Sequence, residues 1–240
     1  MGDEKYMKLD PTRMGFRFLG AVPSEAQPIL KRAFKALKRD MGPLWDEQLS
    51  KKEIFWLNVW QEEKEGDVMA LSDEKIAQEL DAWARAAVGE YCELAAIIDG
   101  YGFVVNPVGS RPQVWHVDYT TDAAAIWIPM TQFTEKNATQ FISLPPDTPA
   151  EVLEGIASDV DNVDVGAIAK GVQHYTIQQI AAQPMSILYM ERGTIHRGIA
   201  NVGKDHRIAF YVSAHFIRNY ENYPYYRDST PESGVVVFGT

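Results

Sequence analysis

An all-β core flanked by helices is the fold class this sequence predicts, and three observations predict it. From Gly100 onward, short apolar segments with strand-like alternation recur between turn signals. Before that point the apolar residues recur at helical intervals instead. At 240 residues with one cysteine, the chain is long enough for a substantial core that no internal disulfide can staple. The expected organisation is one domain over residues 1–240, with a helical and mixed N-terminal part to about residue 100, a β core over about 101–216 and an extension over 217–240.

Taken in order, Pro23 to Arg39 reads as a helix, because PSEAQP opens it and Ile29, Leu30, Phe34 and Leu37 recur at near-helical spacing. Ile54 to Trp60 (IFWLNVW) reads as a strand or buried extended piece, with Trp56 and Trp60 as core or entrance wall, and QEEKEGD as an exposed turn. A second helix begins at Ser72, its cap, with Asp73 and Glu74 at its positive end. Its stripe runs through Ile76, Leu80, Trp83, Ala87, Val88, Tyr91 and Ala95 to a stop at Asp99 and Gly100. Strands are expected at Tyr101–Asn106, Val114–Asp118, Ala124–Met130, Thr139–Leu144, Val172–Ile180, Met185–Tyr189 and Arg207–Ala214; short strands at this spacing indicate an all-β core. The connection from Leu144 to Gly171, containing PPDTP and SDVDNVDVG, reads as a loop, a mobile wall over a pocket. DVDNVD lacks the length and terminal glutamate of a calcium loop and reads as solvated. Cys92 lies in an apolar helical run and is expected in the core.

Composition narrows the function. With 33 acidic against 23 basic residues and a formal charge of -10, a broad nucleic-acid footprint is not expected. No apolar run reaches membrane-spanning length and MGDEKYMKLD does not read as a signal peptide, so cytoplasmic residence is the expectation.

Three residues carry the chemistry. In WHVDY, His116 and Asp118 stand two apart, and strand alternation puts both on one face, about 7 Å apart, so that ring and carboxylate converge. His196, in RGTIHRG, would come from a second strand. Two imidazoles and one carboxylate on one face of an octahedral ion leave about three positions open, which suits a non-haem Fe(II) centre binding an oxidant and a bidentate cosubstrate. Spacing alone also allows a half-buried His116 and a turn-capping Asp118 unrelated to His196. Arg207, eleven residues beyond His196, follows the polar turn NVGKDH, so its strand is expected to fold back beside the His196 segment. Its planar fork suits a carboxylate; the alternative is a sheet-edge arginine paired with Asp205 or solvent.

These four residues resemble, in order and spacing, the pattern of the iron- and 2-oxoglutarate-dependent oxygenases, within them the phytanoyl-CoA dioxygenase-like branch. The resemblance covers about residues 98–216 and implies a double-stranded β-helix, a cupin-like jelly roll. It implies that His116, Asp118 and His196 bind Fe(II), and that Arg207 holds the distal carboxylate of 2-oxoglutarate, with O2 as the other cosubstrate. Thr139, in TEKNATQFISLP, matches a position that helps hold the cosubstrate, and Asn106 a place where relatives carry a polar cosubstrate contact. The chain departs from the pattern at SLPPDTP, where relatives continue into a Pro-Gly-Ser-His turn, and at Ala209, where other branches carry a serine; Ser213 is a weaker substitute. Because halogenating relatives lack the carboxylate ligand, Asp118 implies hydroxylation, or desaturation or cyclisation.

The expected substrate is a small organic metabolite, and no basic cluster suggests a coenzyme-A thioester. Tyr101, Trp115, Tyr119, Trp127, Arg197, Tyr211 and Arg218 are candidate cavity-mouth residues, although Trp115, Tyr119 and Arg197 should alternate away from the metal. His174 is expected to be a hydrogen-bonded strand histidine. The tail from Tyr220 to Thr240 is aromatic and apolar at both ends and is expected to pack on the domain or on a partner subunit, which makes it a candidate oligomerisation surface. Two other functions fit the same residues: a cupin-like metal enzyme that uses no 2-oxoglutarate, and a non-catalytic jelly-roll binding protein.

Overall fold

In the computed structural model the described residues are 15–61, 71–92, 96–118, 123–191, 193–216 and 235–236. Their order is β1 (Phe16–Ala21), α1 (Gln27–Met41), α2 (Pro43–Lys51), β2 (Phe55–Gln61), α3 (Glu74–Tyr91), β3 (Ala96–Asn106), β4 (His116–Val117), β5 (Ala123–Pro129), β6 (Thr139–Ser143), α4 (Ala150–Ser158), α5 (Val165–Gly171), β7 (Thr176–Ile180), β8 (Ser186–Glu191), β9 (Ile195–Gly198), β10 (Arg207–Phe216) and β11 (Val235–Val236). The strands form two antiparallel sheets. The larger runs β1-β8-β5-β10-β3, with β2 and β11 both on the far edge of β3; the smaller runs β4-β9-β6-β7. This arrangement of a mixed α/β chain resembles a jelly roll.

Side-chain alternation sorts each sheet into two faces. Phe103, Val105, Ile187, Tyr189, Ile208 and Phe210 share a buried cluster with Leu30, Leu37, Leu80 and Val88, so α1 and α3 cover the outer face of the larger sheet. Their neighbours Val104, Leu188 and Ala209 point the other way and meet Phe141 and Ile180 of the smaller sheet. On that sheet Ile142 and Ile195 pack outward on Leu153, Ile156 and Ile168 of α4 and α5. A residue next to an outward one faces the space between the sheets. His196 follows Ile195, and Arg207 precedes Ile208.

Several elements depart from the sequence expectation. β1 was not anticipated because, as an edge strand on β8, it leaves Phe18 62% exposed and so shows no alternation. The first helix starts at Gln27 rather than Pro23, and Gly42, at φ +53°, turns the chain into an unanticipated α2 that buries Trp45. Asp73 rather than Ser72 caps α3, accepting from the Ile76 N–H at 3.1 Å, while Ser72 is held by Asp40. The second helix ends at Tyr91, so Asp99 and Gly100 belong to β3. The supposed loop between Leu144 and Gly171 contains α4 and α5. Asp164, one of its acids, caps α5 by accepting from Gly166 and Ala167.

The Cys92 thiol is buried and pushed up to about 12, which keeps it unreactive as expected of a core residue. His174 is exposed and precedes β7 rather than lying in it. Among the described residues no helix is long and apolar enough to cross a membrane. Of the C-terminal extension only Val235–Val236 is described, paired with Ile97 and Ala96, so the expected oligomerisation surface lies outside the described residues.

Candidate metal centre and adjoining cleft

β4 and β9 pair so that His116 stands directly opposite His196, with ring centroids 4.4 Å apart. Asp118 follows β4 and lies between them, 3.5 Å from Nε2 of His116 and 3.4 Å from Nε2 of His196. One ligand atom from each residue falls within 4.8 Å of the others. The free edge of β4 is held by the acidic segment before α5: Val117 N–H donates to the Val160 carbonyl at 2.8 Å and Val163 N–H to that of Trp115 at 2.7 Å. Phe141 stacks against His196 at 5.9 Å.

The backbone sets the tautomers. Nδ1 of His116 lies 2.9 Å from the Val114 carbonyl and Nδ1 of His196 lies 3.0 Å from that of Thr194. A carbonyl only accepts, so each Nδ1 carries the proton, and in the neutral ring each Nε2 turns a lone pair toward Asp118. Burial, then the neighbouring His196, lowers the pKa of His116 against the pull of Asp118. Burial also opposes charge on His196, but there Asp118 and the Thr194 carbonyl outweigh it and the pKa is raised. A divalent cation among the three groups would use both Nε2 lone pairs and the Asp118 carboxylate. The donor set fits Fe(II) and leaves one side of the ion uncovered.

Arg207 approaches from the opposite sheet. Contrary to expectation β10 does not lie beside β9; it pairs with β3 and β5, because the NVGKDH turn crosses between sheets. The guanidinium spans the gap. Its Nη1 donates to the Ala138 carbonyl at 2.8 Å, to Thr139 Oγ1 at 3.1 Å and to the Asn137 carbonyl at 3.3 Å. It also lies over Phe133, 5.4 Å from the ring centre. Arg207 is 5% exposed, no described acid forms an ion pair with it, and burial lowers its pKa to about 10.

A cleft joins these groups: His116, His196, Thr139 and Arg207 line it among Phe133, Phe141, Leu188 and Met190. Asn106 is not among the lining residues. Its amide donates to the Ile199 carbonyl at 3.3 Å and accepts from Ser110, so its expected cosubstrate contact is replaced by a role in holding the loop after β9. Ser213 is also elsewhere, donating to Asp99 at 3.2 Å. Of the mouth candidates, Trp127 lines the cleft and Tyr211 an adjoining compartment. Tyr101 faces the helices and donates to Asp81, while Trp115 packs in the α4–α5 cluster. As expected, Arg197 turns away, stacking on Trp115 at 4.4 Å and donating to Gln140. Tyr119 and Arg218 lie outside the described residues.

Sequence reasoning missed Gln113, whose Oε1 accepts from the Gly198 N–H at 2.8 Å at the cleft wall, because nothing in RPQV marks it. At Gly198 a Cβ would fall 2.8 Å from both Arg207 Nη2 and Gln113 Oε1, so a larger residue there would displace the ends of those two side chains.

No protein-family model matches the sequence, and no curated protein matches it. Solved structures do. The chain is similar to AviO1 from Streptomyces viridochromogenes Tue57, at 14% identity over 87% of this chain and 94% of that one, with TM-score 0.53. It is also similar to SnoN, a non-heme alpha ketoglutarate dependent epimerase from nogalamycin biosynthesis, at 14% identity over 88% and 82% with TM-score 0.55. EctD from S. alaskensis, solved with 2-oxoglutarate and 5-hydroxyectoine, aligns at 14% identity over 91% and 77% with TM-score 0.55. At such identities the likeness is one of fold. The His-Asp-His cluster is a separate observation, and its donors suit Fe(II).

Proposed function

We propose that the protein is a non-haem Fe(II)- and 2-oxoglutarate-dependent dioxygenase with a double-stranded β-helix core, hydroxylating, desaturating or cyclising a small organic metabolite. The observation that carries this reading is the cleft: it connects an open-sided His-Asp-His cluster to a buried arginine that has no acidic partner among the described residues. In a cupin-like enzyme using no keto acid, Arg207 would contact substrate or serve only to brace the sheets through Asn137, Ala138 and Thr139.

His116, Asp118 and His196 would hold Fe(II), with the two Nδ1–carbonyl bonds fixing the rings so that Nε2 ligates. Iron(II) with 2-oxoglutarate supplies the oxidising power, dioxygen being spent on one substrate C–H bond and on decarboxylation of the keto acid to succinate and CO2. Arg207 orients the distal carboxylate, as Nη1 is already anchored on Ala138, Asn137 and Thr139 and the fork is locked before any ligand arrives. Thr139 fixes the arginine and offers its hydroxyl at the cleft wall. Phe133, Phe141, Leu188 and Met190 exclude water from the same space. Cytoplasmic residence suits the reduced metal.

The test is anaerobic loading. One Fe(II) per chain should bind, the visible charge-transfer absorption of a keto acid chelated to iron(II) should appear with 2-oxoglutarate, and succinate should form when oxygen is admitted with a turned-over metabolite. Iron-loaded protein that never binds 2-oxoglutarate overturns the proposal.

A further inference from the structure

The smaller sheet places a second hydrogen-bonding group beside Arg207. Thr139 pairs with Gly198 across β6 and β9, and the Gln113 N–H donates to the Gly198 carbonyl at 2.9 Å from the other side, so Gln113, Gly198 and Thr139 form one row. The next row is His116, His196 and Phe141, contributed in the same order. Two residues along a strand separate the rows, about 7 Å. Arg207 reaches from the larger sheet onto the first row. A Cβ built on Gly198 would fall 2.8 Å from its Nη2 and 2.8 Å from Gln113 Oε1, while Nη1 donates to Thr139 Oγ1 at 3.1 Å. The guanidinium thus lies over the glycine, with a hydroxyl on one flank and a carboxamide on the other.

The orientation of that carboxamide is fixed. Gln113 Oε1 accepts from the Gly198 N–H at 2.8 Å, and only the oxygen of an amide accepts, so the nitrogen Nε2 is the free end. Gln113 is half-buried in the cleft wall, and Nε2 has no hydrogen-bond partner among the described residues. Arg207 is in the same condition at one end. Its Nη1 is spent on the Asn137 and Ala138 carbonyls and on Thr139, whereas Nη2 donates to no described residue. A carboxylate set against Nη2 brings two oxygens, and in an apolar cleft the second needs a donor of its own. Phe133, Phe141, Leu188 and Met190 offer none. Thr139 stands on the flank where Nη1 is already engaged, which leaves Gln113 Nε2 as the donor on the other.

We propose that Gln113 is the second donor of the anion clamp, its Nε2 donating to one oxygen of the carboxylate whose other oxygen takes Arg207 Nη2. The assignment rests on the oxygenase reading, under which that carboxylate is the distal one of 2-oxoglutarate. A keto acid held at the His116–His196 row then has its far end at the row of Gln113, Gly198 and Thr139. An amide N–H gives the clamp direction without the desolvation cost of a second buried cation. Because Oε1 stays on Gly198, the amide is set before the ligand arrives and little side-chain freedom is lost on binding.

Gln113→Glu separates this role from a bracing one. Glutamate keeps an oxygen to accept from the Gly198 N–H, so the brace survives, but it replaces Nε2 by a second acceptor. Anaerobic calorimetry on the iron-loaded full chain should show 2-oxoglutarate bound at least about tenfold more weakly, as expected for losing a hydrogen bond to a charged group. Pyruvate lacks the distal carboxylate and should bind within about threefold of the parent. Gln113→Leu should weaken 2-oxoglutarate about tenfold at the parent's Fe(II) affinity, and it decides the matter with the same two ligands if glutamate disturbs the fold. An unchanged affinity for 2-oxoglutarate in the folded variant overturns the proposal. So does an equal loss for pyruvate, which would put the effect of Gln113 at the metal end. Parent protein that binds 2-oxoglutarate beside a variant that binds it equally well refutes this assignment alone. Parent protein that binds Fe(II) and no keto acid refutes the oxygenase reading and this assignment with it.

Discussion

Replacing Arg207 by methionine removes the charge and keeps much of the stem. Burial lowers the guanidinium pKa from 12.5 to about 10, so holding the cation in the empty cleft costs about 3 kcal/mol at about 1.4 kcal/mol per tenfold change in proton affinity. A carboxylate docking there recovers that cost and adds charge-assisted hydrogen bonds. Losing a contribution of about 3 kcal/mol corresponds to roughly 100-fold weaker binding of 2-oxoglutarate to iron-loaded protein. Anaerobic calorimetry would measure it, with pyruvate as the control, since pyruvate offers the keto acid without the distal carboxylate. The variant should bind pyruvate as the parent does. Thermal unfolding adds a second readout: 2-oxoglutarate should raise the parent's Tm and leave the variant's nearly unmoved. An unchanged affinity for 2-oxoglutarate, or an equal loss for pyruvate, would show that Arg207 braces the two sheets and does not hold the cosubstrate.

Asp118→Ala should eliminate Fe(II) binding and turnover while the circular dichroism spectrum stays unchanged, since Asp118 would be a metal ligand under the proposed function and is no part of the apolar clusters; Fe(II) still bound at the parent's affinity would contradict the metal assignment. Gly102→Ala would put a Cβ 2.2 Å from the Leu57 carbonyl oxygen, a backbone clash that must push β2 off β3. It should lower stability by about 1–3 kcal/mol in urea denaturation, and an unmoved midpoint would reject the close strand approach. Asp73→Ala, which removes the cap of α3, should cost about 1 kcal/mol by the same assay; no change would return the cap to Ser72.

The metal cluster was legible because it depends on short-range rules. Strand alternation brings His116 and Asp118 together whatever the surrounding fold, and the distant His196 needs only one paired strand. The core strands were legible for the same reason, as Ala123–Pro129 and Ser186–Glu191 are continuous apolar runs between turn signals. Edge and cover elements were less legible. β1 shows the sheet one edge and solvent its side chains, so periodicity had nothing to report. The α4–α5 segment is broken by PPDTP and DVDNVD, which read as turns, although the second of these includes a helix cap and the backbone that clamps β4. Bulges were out of reach altogether. Nothing in IIDGYG says that Asp99 is the extra residue where β3 shifts register against β10.

The two sheets divide the site between them. His116, His196 and Thr139 stand on the smaller sheet, whereas Arg207 and Trp127 stand on the larger, so the span from the His-Asp-His cluster to Arg207 crosses between the sheets. Arg207 helps set that span, because Nη1 is anchored on the Asn137 and Ala138 carbonyls and the Thr139 hydroxyl across the gap, and under the proposed function it would use it as well. A guanidinium can do both, with one nitrogen spent on the scaffold and the fork still able to meet a carboxylate, whereas a lysine ammonium is a single point that must serve one or the other.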